Sequence, residues 1–139
     1  MTTKISNGVN FELLYKKIKR VLPRNLAQKL PKTVHIVLID TETSRRINAR
    51  FRKKRTPTNV LSFRYDPAYG EILLCAPIIR KDAHTQGNSY AFQMTWMIVH
   101  GMIHLSGLHH ERSAAFEQRV MRLEQKILDT LVKKTAKSK

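Results

Sequence analysis

Apolar and polar positions change their spacing along the first half of the chain, and the changes predict a helix, a strand and a second helix. Residues 9–20 carry apolar side chains at helical spacing with basic side chains between them, which predicts a short amphipathic helix. Residues 33–39 are apolar and largely β-branched, which is typical of a buried strand. Asp40 and Thr41 can cap a helix that follows over about 42–52.

The second half of the chain continues with two strands and three helices. Residues 58–65 and 70–75 predict strands that pair as a hairpin, because a short run typical of turns separates them. A proline in its first turn favours a short helix over 77–83. Residues 89–106 form a long, mostly apolar helix that must be central, because little of it is polar enough to face water. A last helix over about 112–132 carries one apolar stripe.

These elements predict one α+β domain over residues 1–132, in which a mixed sheet of about four strands packs on a central helix. Residues 133–139 are expected to form a basic, disordered tail. The chain has no apolar run of the roughly 18 residues that a membrane span needs, and its first residues do not resemble a secretory signal. The single cysteine, Cys75, excludes an intramolecular disulfide. We therefore expect a cytoplasmic protein.

Charge gives the first indication of function. Lysine and arginine outnumber aspartate and glutamate by 26 to 10, for a formal net charge of +16. Such an excess favours a polyanionic partner, most often a nucleic acid, although an anionic membrane surface and mere solubility are alternatives. Seven of the basic residues lie between positions 45 and 55, where they either track an RNA backbone or form a solvated helix face: Arg45, Arg46, Arg50, Arg52, Lys53, Lys54 and Arg55.

Histidines provide the most specific chemistry in the chain. His100 and His104 are four residues apart on the predicted central helix, so their imidazoles lie on one face. Gly107 ends that helix and lets the chain bring His110 back toward the pair. Three neutral imidazoles leave a fourth tetrahedral position open, as catalytic zinc sites require. We therefore predict one zinc ion per chain on these three histidines, although imidazole also suits nickel, copper and iron.

The same spacing also matches the ligand pattern of metzincin proteases, including the glycine. The general base of those enzymes is missing, because Gly101 stands where their glutamate would be. A peptidase is therefore the weakest of the functional hypotheses. His109 is an alternative ligand that we do not favour, because adjacent side chains rarely point the same way.

Taken together, these blocks resemble the YbeY family of bacterial endoribonucleases, which are ribosomal RNA maturation factors. The family signature H-G-x-L-H-L-x-G-Y-D-H stands here at residues 100–110 as HGMIHLSGLHH. A second family block, Y-R-x-K-D-x-P-T-D/N-V-L-S-F, stands at residues 51–63 as FRKKRTPTNVLSF. Residues 69–74 are similar to the family's L-G-D-I-x-I, and Met121 and Glu124 match a downstream methionine and glutamate.

The resemblance implies a zinc site built from the three histidines and a ribonuclease specific for single-stranded RNA. It also implies a role in small-subunit ribosomal RNA processing and ribosome quality control, with ribosomal RNA, and ribosomal proteins or the small subunit, as partners. Arg52 matches the functional arginine of the family, and a guanidinium can clamp phosphate oxygens with two parallel hydrogen bonds. Arg52 and His104 are therefore the candidate catalytic residues.

Three positions depart from the family pattern. His109 replaces the aspartate before the third histidine, which predicts weaker metal affinity or a shifted pH optimum. Glu71 replaces an aspartate, and Leu108 replaces a tyrosine. The first two changes leave a second hypothesis open, a non-catalytic ribosome-associated RNA-binding protein with a structural metal. Tyr65 and Tyr69 either stack an unpaired base or pack in the core.

Overall fold

The computed structural model of the chain describes residues 5–6, 9–107 and 113–137, which form five strands and six helices. In chain order these are β1 (Ile5–Ser6), β2 (Val9–Asn10), α1 (Phe11–Val21), α2 (Arg24–Ala27), β3 (Thr33–Ile39), α3 (Thr41–Arg52), β4 (Val60–Asp66), β5 (Tyr69–Cys75), α4 (Ala76–Gln86), α5 (Tyr90–Leu105) and α6 (Ala114–Lys137). The α+β class predicted from the sequence is confirmed.

The main sheet is mixed and has the strand order β3–β5–β4. β3 runs parallel to β5, and β4 pairs with β5 as the predicted antiparallel hairpin. Our expectation of about four strands is not confirmed, because the described residues give this sheet three. The two short strands β1 and β2 pair with each other instead of extending it. β4 is therefore an edge strand of the described sheet.

Helix α5 forms the centre of the fold, as its apolar sequence predicts. It packs against α1, α4, α6, β4 and β5. The Ser89 hydroxyl caps its first turn by accepting a hydrogen bond from the Phe92 amide at 3.1 Å. At the other end Arg64 donates to the Leu105 carbonyl at 2.6 Å, which places a cation at the negative end of the helix. Gly107 then adopts a φ of 98°, a left-handed conformation that ends the helix.

A close approach between α5 and β5 explains the glycine at position 101. A β-carbon there would lie 3.1 Å from Cγ2 of Ile72, and two further atoms of the same side chain would lie at 3.2 Å. Gly101 is buried, and its missing side chain points at the sheet. A glutamate at this position would therefore meet β5, which counts further against a peptidase that needs a general base there.

Two helices are longer than their sequence patterns predict. α4 extends over Ala76–Gln86, where the pattern predicted 77–83, and Gly87 ends it with a φ of 73°. α6 is described as far as Lys137, so it enters the segment that was expected to be a disordered tail. Among the helices described, none combines the length and apolarity that crossing a bilayer requires.

Candidate functional site

His100 and His104 lie one turn apart on α5, as predicted, and both line a cleft of about 840 Å³. Their ring centroids are 4.3 Å apart. Both residues are partly exposed, although most of the residues around them in the helix are buried. The floor of the cleft thus presents two imidazoles on an otherwise apolar helix. The cleft extends between β4, the end of α3 and the first turns of α6.

Glu124 of α6 holds one of the two imidazoles in place. Its carboxylate is 4% exposed, and its Oε2 lies 2.6 Å from Nδ1 of His100. Its other oxygen accepts a hydrogen bond from the Trp96 indole nitrogen at 2.9 Å. Burial acts to raise the pKa of Glu124, but the hydrogen bonds from His100 and Trp96 outweigh burial and lower it. Glu124 is therefore an ionised carboxylate that accepts the proton of His100 Nδ1.

This contact suits a histidine that binds a metal. Ligating histidines usually donate one ring N–H to a carboxylate, which fixes the tautomer and directs the other ring nitrogen to the ion. With Nδ1 of His100 bound to Glu124, its Nε2 carries the lone pair and faces away from that carboxylate. The donor chemistry of the site therefore fits zinc. The predicted third ligand, His110, and the neighbouring His109 lie outside the described residues.

Within the described ranges alone, no group of three histidine, cysteine, aspartate or glutamate side chains is arranged to hold a metal ion. His35 and His84 do not line the cleft. His35 Nδ1 is instead 2.9 Å from the Tyr69 hydroxyl.

The C-terminal end of α3 and the residues after it form a basic wall of the same cleft. Arg52, Lys53 and Lys54 line it, and all three are exposed. Lys53 has a left-handed backbone with a φ of 56°, a conformation that costs a non-glycine residue about 1 kcal/mol. The Lys54 amide closes this turn by donating to the Asn48 carbonyl at 3.3 Å. The turn sets three consecutive cationic side chains beside the cleft.

Two buried polar residues of α3 tie down the loop after this turn. The Ser44 hydroxyl donates to the Thr58 carbonyl and accepts from the Thr58 amide, both at 2.8 Å. The Asn48 side chain donates to the Thr56 carbonyl at 2.7 Å. Ser44 and Asn48 are 0% and 2% exposed, so these bonds are shielded from water. They fix the path of the chain between the basic wall and β4.

The other residues of the basic run do not line the cleft. Arg45 forms an ion pair with Glu42, and Arg46 donates to the Thr43 hydroxyl at 3.4 Å. The guanidinium of Arg50 lies 5.4 Å from the centroid of the Phe51 ring. Of the six residues expected to track RNA, the structure brings only Lys53 and Lys54 to the cleft beside Arg52; the others are Arg45, Arg46, Arg50 and Arg55.

Glu71, which replaces the family aspartate, is not part of the cleft lining. Its Oε1 accepts a hydrogen bond from the Tyr65 hydroxyl at 2.6 Å. The substitution therefore leaves the described walls of the cleft unchanged.

Sequence reasoning missed three residues that shape this site. Glu124 was matched to a family position but given no role, and Ser44 and Asn48 were not singled out. The signal for Glu124 was available, because it falls on the apolar stripe of the last helix, where Ile127 and Leu128 are also buried. A carboxylate on a buried stripe needs a partner.

Comparisons with known proteins agree with the sequence blocks. The family model described as Endoribonuclease YbeY matches residues 2–132. The Burkholderia lata protein of that name is 38% identical over 98 residues, which cover 67% of this chain and 57% of the relative. The Bdellovibrio bacteriovorus protein of that name is 31% identical over 122 residues, covering 86% of this chain and 79% of the relative. The chain thus spans little more than half the length of the Burkholderia relative.

A solved structure supports the fold independently. The solution structure of a Thermotoga maritima protein aligns with a TM-score of 0.62 and 21% sequence identity. The alignment covers 99% of this chain and 93% of that protein, so the two share their overall architecture. Because the family model matches nearly the whole chain, the chain belongs to the YbeY endoribonuclease family.

Proposed function

We propose that this chain is a metal-dependent endoribonuclease that cleaves single-stranded RNA. One observation carries the proposal: two imidazoles, one of them held by a buried carboxylate, line the same cleft as three cationic side chains. Imidazoles favour a transition metal, and the cationic wall favours a phosphate. A site that offers both is suited to a phosphodiester.

Zinc is the metal we propose, held by His100, His104 and the predicted third ligand His110. When bound, it supplies a Lewis acid beside the scissile phosphate and lowers the pKa of water. Glu124 keeps the His100 ring in the tautomer that presents Nε2. The metal would thus sit against the floor of the cleft, which α5 provides.

The protein's own cations supply charge stabilisation. Arg52 lies at the end of α3, and within the described residues its guanidinium makes no hydrogen bond or ion pair. It is therefore available to clamp two phosphate oxygens, and this interaction strengthens as negative charge develops in the transition state. Lys53 and Lys54 add phosphate contacts, which make binding sensitive to salt.

The cleft also favours an unpaired strand. Its lining contains Phe51, Phe63 and Phe116, whose rings can contact bases that are not stacked in a helix.

Family membership extends the proposal to small-subunit ribosomal RNA maturation and ribosome quality control, carried out in the cytoplasm by one domain over residues 1–132. Ribosomal RNA, together with ribosomal proteins or the small subunit, is then the partner.

The test is single-turnover cleavage of an end-labelled single-stranded RNA, with the same sequence in a duplex for comparison. We expect cleavage of the single strand, and a loss on the order of 100-fold or more in His104→Ala, which removes a metal ligand. His84→Ala is the matched control, because His84 is exposed on α4 and away from the cleft. Cleavage that persists in His104→Ala contradicts the site. Binding without cleavage by the wild-type chain favours the RNA-binding alternative with a structural metal.

A further inference from the structure

Four aromatic side chains form a continuous row on the surface, and we call them the aromatic row: Phe51, Phe63, Tyr65 and Tyr69. Successive ring centroids are 5.4, 6.4 and 5.3 Å apart. The ring planes of Phe63 and Tyr65 differ by 31°, and those of Tyr65 and Tyr69 by 20°. Three of the four rings therefore face in similar directions.

Two residues of the aromatic row are exposed to solvent and are not part of the hydrophobic core. Phe51 is 61% exposed and Tyr65 is 57% exposed, whereas Phe63 and Tyr69 are partly buried. Core packing, the alternative left open for the tyrosines, does not account for Tyr65. Single exposed apolar residues are ordinary on protein surfaces, but contiguous ones mark interaction sites.

The sheet determines which way the row faces. Phe63 and Tyr65 are two residues apart on the edge strand β4, whose pairing with β5 shifts register at Tyr65. Their ring centroids are nevertheless only 6.4 Å apart, so both rings lie on the same side of the strand. Phe63 pairs opposite Glu71, while the next residue of β5, Ile72, points at α5 and Gly101. The row therefore lies on the face of the sheet that is turned away from the central helix.

The row begins in the cleft and leads out of it. Phe51 and Phe63 belong to the lining, whereas Tyr65 and Tyr69 do not. We propose that the aromatic row binds successive unpaired bases of a single-stranded RNA whose scissile phosphate lies in the cleft. This inference rests on the proposed function, and it adds a binding track outside the metal site.

The charges around the row suit this occupant. At the start of the row, the Arg50 guanidinium lies 5.4 Å from the centroid of the Phe51 ring, and Arg52 and Lys53 line the cleft together with Phe51. These cations suit a backbone phosphate that passes there. The carboxylate of Glu71 accepts a hydrogen bond from the Tyr65 hydroxyl, and this hydrogen bond is the main reason that the pKa of Tyr65 is raised to about 12. The phenol therefore remains neutral at physiological pH. A basic surface with exposed aromatic rings is the usual design for sequence-tolerant binding of single strands.

The test is the affinity of the full chain for a fluorescein-labelled single-stranded RNA of 12 nucleotides, measured by anisotropy in EDTA so that no cleavage occurs. Removing a ring that stacks a base weakens binding by about 5- to 150-fold, so we expect Tyr65→Ala and Phe51→Ala to lose affinity in that range. Tyr65→Phe retains the ring and should bind within about two-fold of wild type. Leu13→Ala, at a position that is 51% exposed on α1, is the control for loss of an unrelated surface side chain.

A strand of the same length without bases separates stacking from charge. We expect Tyr65→Ala to bind the abasic strand as well as the wild-type chain does, because only phosphate contacts remain. Equal affinity of Tyr65→Ala and wild type for the RNA overturns the proposal and indicates a protein as the occupant of the row. Because binding is measured without cleavage, a chain that binds through the row but never cleaves refutes the proposed function and leaves this inference standing.

Discussion

Replacing Arg52 with alanine is expected to lower the rate constant of RNA cleavage by about 10²- to 10³-fold. Arg52 lines the same cleft as the two histidines, and within the described part of the chain it is not engaged by an acidic side chain. A donor aimed at charge that develops in the transition state affects kcat more than substrate affinity. The measurement is the kcat and KM of cleavage of a single-stranded RNA.

Two further substitutions make this result specific. Arg52→Lys keeps the charge but loses the planar pair of donors, so it should recover only part of the rate. Arg55→Ala removes a neighbouring exposed cation that does not line the cleft, and it should raise KM and reduce the salt dependence of binding while kcat is retained. If both Arg52→Ala and Arg55→Ala instead raise KM to the same extent and leave kcat unchanged, then Arg52 is only one phosphate contact among several.

Replacing Glu124 with alanine is expected to weaken zinc binding by about 10- to 100-fold. The change removes a buried carboxylate and leaves Nδ1 of His100 and the indole N–H of Trp96 without their acceptor. The His100 ring then loses the contact that fixes its tautomer and orientation. The measurement is the zinc affinity of the metal-stripped protein, by competition with a chelating dye. Thermal unfolding of the same sample shows whether the variant is folded.

The conservative variant separates positioning from folding. Glu124→Gln retains an acceptor of the same shape, so it should fold as the wild type does and recover part of the zinc affinity. Asp129→Ala removes an exposed carboxylate from the same helix, outside the cleft, and should leave zinc affinity unchanged. A Glu124→Ala chain that is folded and binds zinc as tightly as wild type would refute the role that we assign to this carboxylate.

The elements that were predictable from sequence are those in which local pattern and final burial agree. The strand at Thr33–Ile39 has a continuous apolar run, and the helix at Tyr90–Leu105 has a long apolar run and a serine N-cap, so their bounds agree with prediction within a residue or two. The make-up of the sheets was less predictable, because β3 pairs with β5 across a long separation that joins Thr33 to Tyr69. β1 and β2 have only two residues each, too few to show a strand pattern. Nothing local indicated that β1 and β2 would pair with each other.

Part of the candidate site was also predictable from the sequence, and part of it was not. The placement of His100 and His104 follows from helical periodicity alone, and their 4.3 Å ring separation agrees with it. The pairing of His100 with Glu124 joins residues 24 positions apart, and it required the packing of α6 on α5. Likewise, seven basic residues are equivalent in sequence, and the fold brings only Arg52, Lys53 and Lys54 among them to the cleft lining.

The most direct test of the account is removal and return of the metal. The chain is stripped with EDTA, and zinc is titrated back while single-stranded RNA cleavage and bound metal are followed together. The account predicts that cleavage is lost on stripping and fully restored at about one zinc per chain, and that His104→Ala is not restored at that ratio. A metal-free chain that remains folded and cleaves single-stranded RNA at the wild-type rate would contradict it.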